Sequence, residues 1–150
     1  MSEPFRANGE LAAACPRRRA WAVLTDPAAV AHCVPGLGTV ERVDERRFRA
    51  PLRLGSGLLA MAAAVEGELT ELREPDAATI VVQGRAAGTT VAATVRLALR
   101  DTEDGGTIAA WSAEIVPSGA LAGLVARVIA EQGGPALERL AACLRATLEA

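Results

Sequence analysis

The sequence predicts an α+β protein in which an antiparallel sheet of seven strands packs on one long C-terminal helix. The helix is predicted by residues 118–150, where apolar side chains recur at helical spacing and charged residues fill most of the other positions. The sheet is predicted by earlier segments in which apolar and polar side chains alternate. Their hairpin-length connections favour antiparallel pairing. A length of 150 residues suits a single domain, 1–150, with a sizeable core.

The first 36 residues predict one strand and two short helices. Pro16 suits the start of a helix, because the first turn does not use the N–H that proline lacks. Asp26 is a good N-cap for a second helix, with Pro27 at its first position. The predicted elements are a strand over residues 5–14, a helix over 17–24, a helix from 27 to about 33, and a turn at 34–36.

Six further strands are predicted before the final helix. The cleanest alternation lies in residues 89–101, where one face is apolar and the other carries Thr94, Arg96 and Arg100. The alternation changes near residues 62–65, which predicts a bulge or bend there. The six strands are predicted over residues 38–43, 46–54, 58–73, 78–86, 89–101 and 107–116.

The final helix has a predicted start and an interruption. Ser118 is a suitable N-cap residue. Gly133-Gly134-Pro135 lies near mid-helix, where each glycine costs about 1 kcal/mol and the proline about 3 kcal/mol relative to alanine. The pattern favours a tolerated kink, with a hinge that opens a cavity as the alternative.

Charge and ligand-forming residues argue against several functional classes. The net charge is −2 and the arginines are dispersed, so no nucleic-acid site is predicted. His32 is the only histidine, and Cys15, Cys33 and Cys143 are widely spaced, so neither a metal site nor a cofactor is predicted. No secretory signal pattern occurs, and no apolar stretch reaches the roughly 20 residues of a membrane-spanning helix. We therefore expect a cytoplasmic protein with free thiols.

The residues offer few candidates for catalysis. His32 could act as a general base, but no second histidine or orienting carboxylate accompanies it, which favours a rim position. Cys33 is interpreted as a small packing residue rather than a reactive thiol. Glu66 and Glu68 share one face of a strand, and a solvated outer face explains them. These observations favour a protein that is not an enzyme.

Small side chains raise the question of a cavity. Residues 60–64 and 86–87 are rich in alanine, on strands that face one amphipathic helix. Because native interiors rarely contain large voids, either the layers approach closely or a ligand fills the space between them. The residues leave both interpretations open.

An ordered set of short motifs resembles a known family. The residues are, in chain order, Ala20-Trp21 with Leu24, Asp26-Pro27, Cys33-Val34-Pro35-Gly36, Gly106-Thr107, Trp111, Gly119 and Leu121-Ala122-Gly123. With them the chain resembles the START-like (SRPBCC) superfamily, also called helix-grip or Bet v 1-like. Within that superfamily it is similar to the carbon monoxide dehydrogenase G-subunit family.

The resemblance implies both a fold and a role. The implied helix-grip fold is a seven-stranded curved antiparallel sheet wrapped around the C-terminal helix, with two short helices between strands 1 and 2. A hydrophobic cavity lies between sheet and helix. Members of the family are associated with molybdenum hydroxylases of the carbon monoxide dehydrogenase type. They are thought to help maturation, membrane recruitment or delivery of a quinone-like lipid.

Residues and resemblance together predict non-enzymatic binding of an apolar, quinone- or lipid-like molecule in this cavity, in the service of such a hydroxylase. The first half of the final helix, 119–129, is expected to cover the cavity, and the second half, 136–148, to form ordinary core. The predicted ligand-binding residues are Trp21, Phe48, Leu52, Met61, Val82, Val95, Trp111, Leu124 and Val128.

Two other functions stay open at this point. One is an assembly or recruitment partner of the hydroxylase subunits that binds no ligand. The other is a small-molecule cyclase or hydrolase of the same fold. A homodimer and a location at the inner face of the membrane are also left open.

Overall fold

A computed structural model describes residues 4–54 and 61–150. Within these residues, ten elements follow one another in the predicted order. They are β1 (Phe5–Ala13), α1 (Arg17–Leu24), α2 (Pro27–Ala31), β2 (Glu41–Arg42), β3 (Arg47–Leu54), β4 (Met61–Arg73), β5 (Ala77–Ala86), β6 (Thr89–Asp101), β7 (Thr107–Gly119) and α3 (Ala122–Glu149).

The seven strands form one antiparallel sheet in the order β1-β7-β6-β5-β4-β3-β2. Consecutive strands from β2 to β7 are neighbours, as hairpin-length connections require. Strand β1 pairs with β7, so the first and last strands of the sequence lie side by side. The fold class predicted from the sequence is confirmed.

Helix α3 packs on one side of the sheet, against β1, β6 and β7, and also contacts α1. One well-buried part of the core lies where α1 meets the end of α3. There Ala20 of α1 is 1% exposed and Leu148 of α3 is 2% exposed, and Trp21 and Leu97 join the same cluster. The concave face of the sheet farther from this cluster is left for the cavity.

The sequence predicts a bulge or bend at residues 62–65, and the bulge is wrong. Residues 61–65 pair in regular register with β3, from Met61 opposite Leu54 to Val65 opposite Ala50. The register shifts instead between Thr70 and Arg73, where Glu71 has a positive φ of 48°. A run of alanines fits either face of a sheet, so its side chains do not report a break in alternation. The predicted start of this strand, residues 58–60, lies outside the described residues.

The predicted N-cap at Ser118 is also wrong, because β7 continues through Gly119 and α3 begins at Ala122. Leu121 occupies the N-cap position, and its side chain cannot accept a hydrogen bond. The buried Thr89 hydroxyl, at the start of β6, accepts from the Leu121 N–H at 2.9 Å instead. The orphan donor is satisfied by a residue distant in sequence.

Helix α3 runs without interruption from Ala122 to Glu149, with Gly133-Gly134-Pro135 inside it. Pro135 is exposed. A Cβ added to Gly133 would lie 3.7 Å from the ring of Phe5, so this glycine faces β1 at an ordinary packing distance.

The expectation of three free thiols is wrong. Cys33, just after α2, forms a disulfide with Cys143 of α3 across 110 residues of sequence. Cys15 keeps its free thiol, and burial raises the pKa of that thiol. The sequence could not reveal the bond, since only tertiary packing brings the two helices together.

Among the described helices, none combines the length and the apolar character needed to cross a bilayer.

Candidate functional site

A cavity of about 470 Å³ lies between the concave face of the sheet and the second half of α3. Strands β1 and β3 to β7 form its floor. Helix α2 and the segment up to β2 form a second wall. Leu137, Leu140 and Leu144 face it from α3. The spacing of three and four residues puts these leucines on one side of the helix.

Strand alternation supplies the floor of the cavity. Ile80 and Val82 of β5 lie next to Val95 and Leu97 of β6, with Trp111 of β7 beyond them. Successive side chains of a strand point to opposite faces, so the residues between them, such as Val81, lie on the outer face. This face of the sheet is therefore a continuous apolar surface.

Alanine side chains leave space for the cavity, but they are not the alanines that the sequence predicted for this role. Ala50, Ala109, Ala113 and Ala141 line the cavity, where larger side chains would fill it. The alanine runs singled out in the sequence lie elsewhere. Ala62, Ala64 and Ala87 are exposed, and Ala60 lies outside the described residues.

Both aromatic rings of the cavity lie against a glycine of the neighbouring strand. Phe48 of β3 is paired with Gly67 of β4, and a Cβ added to that glycine would lie 2.7 Å from Phe48 Cε2. Trp111 of β7 is paired with Gly9 of β1, where an added Cβ would lie 3.0 Å from Cζ2. Covering of a strand glycine by an aromatic ring fixes the ring's position.

The wall beyond α2 is attached to the edge of the sheet. The Gly38 N–H donates to the Pro51 carbonyl at 2.7 Å, and the Arg53 N–H donates to the Gly36 carbonyl at 2.8 Å. These bonds bracket Leu37, which pairs with Leu52 and faces the cavity. The Cys33–Cys143 disulfide joins the other end of this wall to α3.

The described lining is aliphatic or aromatic apart from Thr25. The Thr25 hydroxyl donates to the Trp21 carbonyl at 2.7 Å, so its hydrogen is already used. No described lining residue carries a titratable side chain. Such a site can bind apolar molecules by shape and burial, but it offers no general acid, base or nucleophile.

The structure brings together five of the nine residues predicted to bind a ligand. These five are Phe48, Leu52, Val82, Val95 and Trp111. Trp21 instead packs in the core, where its Nε1–H donates to Glu74 Oε1 at 2.9 Å. The Met61 side chain lies outside the described part of the structure.

Leu124 and Val128 do not line the cavity, because they are 57% and 44% exposed on the first half of α3. The expectation that residues 119–129 cover the cavity and that 136–148 form only core is therefore corrected. The second half supplies the cavity wall. Both halves show the same apolar periodicity, so the pattern alone could not distinguish them.

The sequence reasoning missed the wall formed by Val30, Val34, Leu37 and Val40. The Val34-Pro35-Gly36 segment predicts only a turn. The recurrence of large apolar residues every three or four positions through this segment was the available signal. His32 belongs to the same region, but it is exposed and lies outside the cavity lining.

Comparison with known proteins agrees with this architecture. Residues 9–149 match the family model for the G subunit of carbon monoxide dehydrogenase (CoxG). A conserved protein from Geobacillus kaustophilus superposes with a TM-score of 0.83 at 18% identity, covering 96% of this chain and 95% of that one. No curated protein matches the chain.

Two further solved structures share the fold. A START superfamily protein from Mycobacterium smegmatis has a TM-score of 0.68 at 12% identity, covering 98% of this chain and 97% of that one. The Zhui aromatase/cyclase from Streptomyces sp. R1128 has a TM-score of 0.62 at 12% identity, covering 99% and 98%. At these identities the likeness concerns the fold alone. Since the family model matches almost the whole chain, the protein belongs to the CoxG family of carbon monoxide dehydrogenase subunits.

Proposed function

We propose that this protein binds an apolar, quinone- or lipid-like small molecule in the cavity and carries it without chemical change. The observation that supports this most is the apolar lining around about 470 Å³. That volume falls within the roughly 300–1,000 Å³ of ordinary ligand sites. It is also well above the roughly 150 Å³ of an apolar cavity that stays dry and accepts benzene.

An unfilled space of this kind is unfavourable, which supports a ligand. Water inside would find few of the 2–4 polar partners that it needs. Side chains facing a void lose dispersion contacts on that side. An apolar molecule restores those contacts and removes its own surface from water.

The lining argues against the cyclase or hydrolase alternative. Those reactions need a proton donor, a base or a nucleophile at the substrate, and the described lining residues provide none. His32 lies outside this lining, so we expect His32→Ala to leave ligand binding unchanged.

We place the protein as an accessory to a molybdenum hydroxylase of the carbon monoxide dehydrogenase type, since its family is described as a subunit of that enzyme. A role in assembly without a ligand is the second candidate. Leu124 and Val128, exposed four residues apart on α3, favour it as surface for a partner. Pull-down from the host with wild type and with Leu124→Ser/Val128→Ser tests the second candidate: loss of the hydroxylase only in the variant supports it.

A cytoplasmic location is part of this proposal, and the Cys33–Cys143 disulfide argues against it, because such bonds are rare in reducing compartments. Thiol trapping in intact host cells tests whether Cys33 and Cys143 are reduced, as a cytoplasmic location requires. A fully reduced pair supports the cytoplasm, and a fully oxidised pair contradicts it.

Two neighbouring positions of β5 provide a matched test of ligand binding. Val82 faces the cavity, whereas Val81 is 38% exposed on the outer face. We expect the wild type to bind one short-chain quinone analogue per chain, as followed by Trp fluorescence and calorimetry. Val82→Trp should weaken binding by about tenfold or more, a change of about 1.4 kcal/mol, while Val81→Trp should not.

Circular dichroism confirms that each variant is folded before binding is compared. Equal binding by both variants would place the ligand elsewhere. A folded wild type that takes up neither quinone analogues nor lipid extracted from its host, as judged by native mass spectrometry, would contradict the proposal.

A further inference from the structure

Three metal-ligating side chains meet beside the cavity wall. His32 Nε2 lies 3.7 Å from Cys33 Sγ and 3.8 Å from Cys143 Sγ. All three candidate ligand atoms fall within 4.8 Å of one another. The cluster joins the end of α2 to α3, and it lies outside the cavity lining.

The two nitrogen-to-sulfur distances match two edges of a tetrahedral zinc site. Zinc binds thiolate sulfur at about 2.3 Å and imidazole nitrogen at about 2.0–2.1 Å, so tetrahedral angles separate the two ligand atoms by about 3.6 Å. The single imidazole nitrogen therefore stands close to the required distance from both sulfurs at once. One histidine and two cysteines, with a fourth position open, form a known ligand set for zinc.

The histidine tautomer also suits a metal ligand. His32 Nδ1 lies 2.6 Å from the carbonyl oxygen of Ala29. Because a carbonyl can only accept, Nδ1 carries the hydrogen and Nε2 carries the lone pair. Metal-binding histidines usually donate their other N–H in this way, which fixes the orientation of the ring.

The Nε2 lone pair has no firm partner among the described residues. The Thr147 hydroxyl is 3.1 Å from Nε2 and 3.0 Å from the carbonyl oxygen of Cys143. A hydroxyl has one hydrogen, so it cannot donate to both acceptors at once. When the hydroxyl donates to the carbonyl, Nε2 is free to bind a cation.

We propose that the reduced form of this cluster is a zinc site, with His32, Cys33 and Cys143 as ligands and water in the fourth position. A dithiol reductant first supplies two electrons and two protons, breaking the Cys33–Cys143 bond and itself becoming a disulfide. Zinc then displaces both thiol protons to solvent and forms two bonds to sulfur and one to nitrogen. The sulfurs must part to about 3.8 Å for this coordination.

The disulfide and the zinc ion are alternative links between the same two helices. Val30 and Ala31 of α2 and Leu140 and Leu144 of α3 line the cavity on either side of the cluster. Either link therefore holds this wall together. The site does not depend on the proposed ligand, and its test does not involve that ligand.

The experiment uses the full untagged chain, reduced with a phosphine that does not bind metal and freed of metal by dialysis. We expect one Zn²⁺ per reduced chain in native mass spectrometry, and none in the disulfide form. Co²⁺ should give a thiolate-to-cobalt charge-transfer band and the visible bands of tetrahedral coordination. Reduced wild type that shows neither zinc uptake nor these bands overturns the proposal.

Variants identify the ligands. Cys33→Ser and Cys143→Ser should each weaken the charge-transfer band. His32→Gln should weaken zinc binding about tenfold or more, and because His32 is exposed its replacement should leave the fold intact. Cys15→Ala, which removes the remaining thiol, is the control and should bind zinc as the wild type does. Undiminished binding by His32→Gln, or loss in Cys15→Ala alone, refutes the assignment.

Discussion

Single glycines determine where the aromatic rings of the cavity lie. Gly67 lacks the Cβ that would overlap the Phe48 ring, and Gly9 leaves similar room for Trp111. Each glycine is the direct cross-strand partner of its aromatic residue. Each ring can therefore occupy space next to the sheet that a Cβ would otherwise take.

Gly67→Ala should push the Phe48 ring away from the sheet and into the cavity. We expect a loss of about 1–3 kcal/mol in the free energy of unfolding, as for overpacked cores, together with weaker binding of an apolar probe. Gly84→Ala is the matched control, because a Cβ at Gly84 meets nothing within 4 Å. It should be neutral or stabilising by up to about 1 kcal/mol in urea unfolding. Equal destabilisation by the two changes would contradict this account of Phe48.

Asp44 organises the turn before β3. Its Oδ1 accepts from the N–H groups of Arg46 at 2.9 Å and Arg47 at 2.8 Å, and its Oδ2 accepts from Arg47 Nε at 2.7 Å. The backbone bond from Arg46, followed by the guanidinium bond from Arg47, lowers the pKa of Asp44 to about 2. The carboxylate is thus held in its charged form at a turn exposed to solvent.

This depressed pKa predicts a pH dependence of stability. The unfolded carboxyl has a pKa of about 3.9, so between about pH 4 and pH 2 the unfolded chain binds more protons. The contribution of Asp44 is fully present above this window and is lost as the pH falls through the folded pKa. NMR titration should give the low pKa, and Asp44→Asn should flatten the fall in stability. An unchanged slope in Asp44→Asn would contradict this account.

At the scale of elements, α1 fixes the end of α3. Arg19 donates to the carbonyl oxygens of Thr147 at 3.2 Å, Leu148 at 2.9 Å and Ala150 at 3.1 Å. The last carbonyls of a helix lack donors within the helix and carry partial negative charge. A guanidinium supplies hydrogen-bond donors and a positive charge at the same place. These contacts within the chain explain the arginine at position 19.

Arg19→Ala should therefore destabilise the docking of α3. We expect the free energy of unfolding to fall by about 1–2 kcal/mol. This is the lower end of the range for hydrogen bonds from a charged group, because part of the site is exposed. Arg18→Ala is the control, since Arg18 is exposed and makes no side-chain hydrogen bond or ion pair with the residues that the structure describes. Urea unfolding of both variants measures the difference, and no difference would show that the last carbonyls do not need this donor.

The elements that the sequence predicted best are those specified locally. Helix α1 and strand β6 match their predicted bounds, because Pro16 begins the one and strict alternation marks the other. The start of α3 could not be predicted from Ser118, since its capping hydroxyl comes from Thr89. Tertiary contacts determine such boundaries, so a local sequence pattern cannot predict where they lie.

For the whole molecule, the sequence predicted the sheet side of the cavity better than the helix side. Strand parity correctly placed Phe48, Val82 and Val95 on the concave face. Nothing in the periodicity of α3 shows which half crosses that face. The sequence could not predict the disulfide either, because its two cysteines come together only in the complete fold.

Reduction of the disulfide should lower the stability of the whole molecule when zinc is absent. A bond across 110 residues restricts the unfolded chain strongly, on the order of 5 kcal/mol in the chain-entropy model. Urea unfolding with and without a phosphine reductant measures this, and a Cys33→Ser/Cys143→Ser variant should not respond to the reductant. The same response in that variant would assign the effect to Cys15 or to the reductant itself.

The almost wholly apolar character of the described lining has a consequence for recognition. We expect such a cavity to select its ligand mainly by the apolar surface that the ligand buries. Each methylene added to an alkyl series should contribute about 0.8 kcal/mol, or about fourfold in affinity, for as long as it is buried. Once the ligand fills the roughly 470 Å³ available, further carbons should add nothing. The number of carbons at which affinity stops rising then indicates the size of the natural ligand.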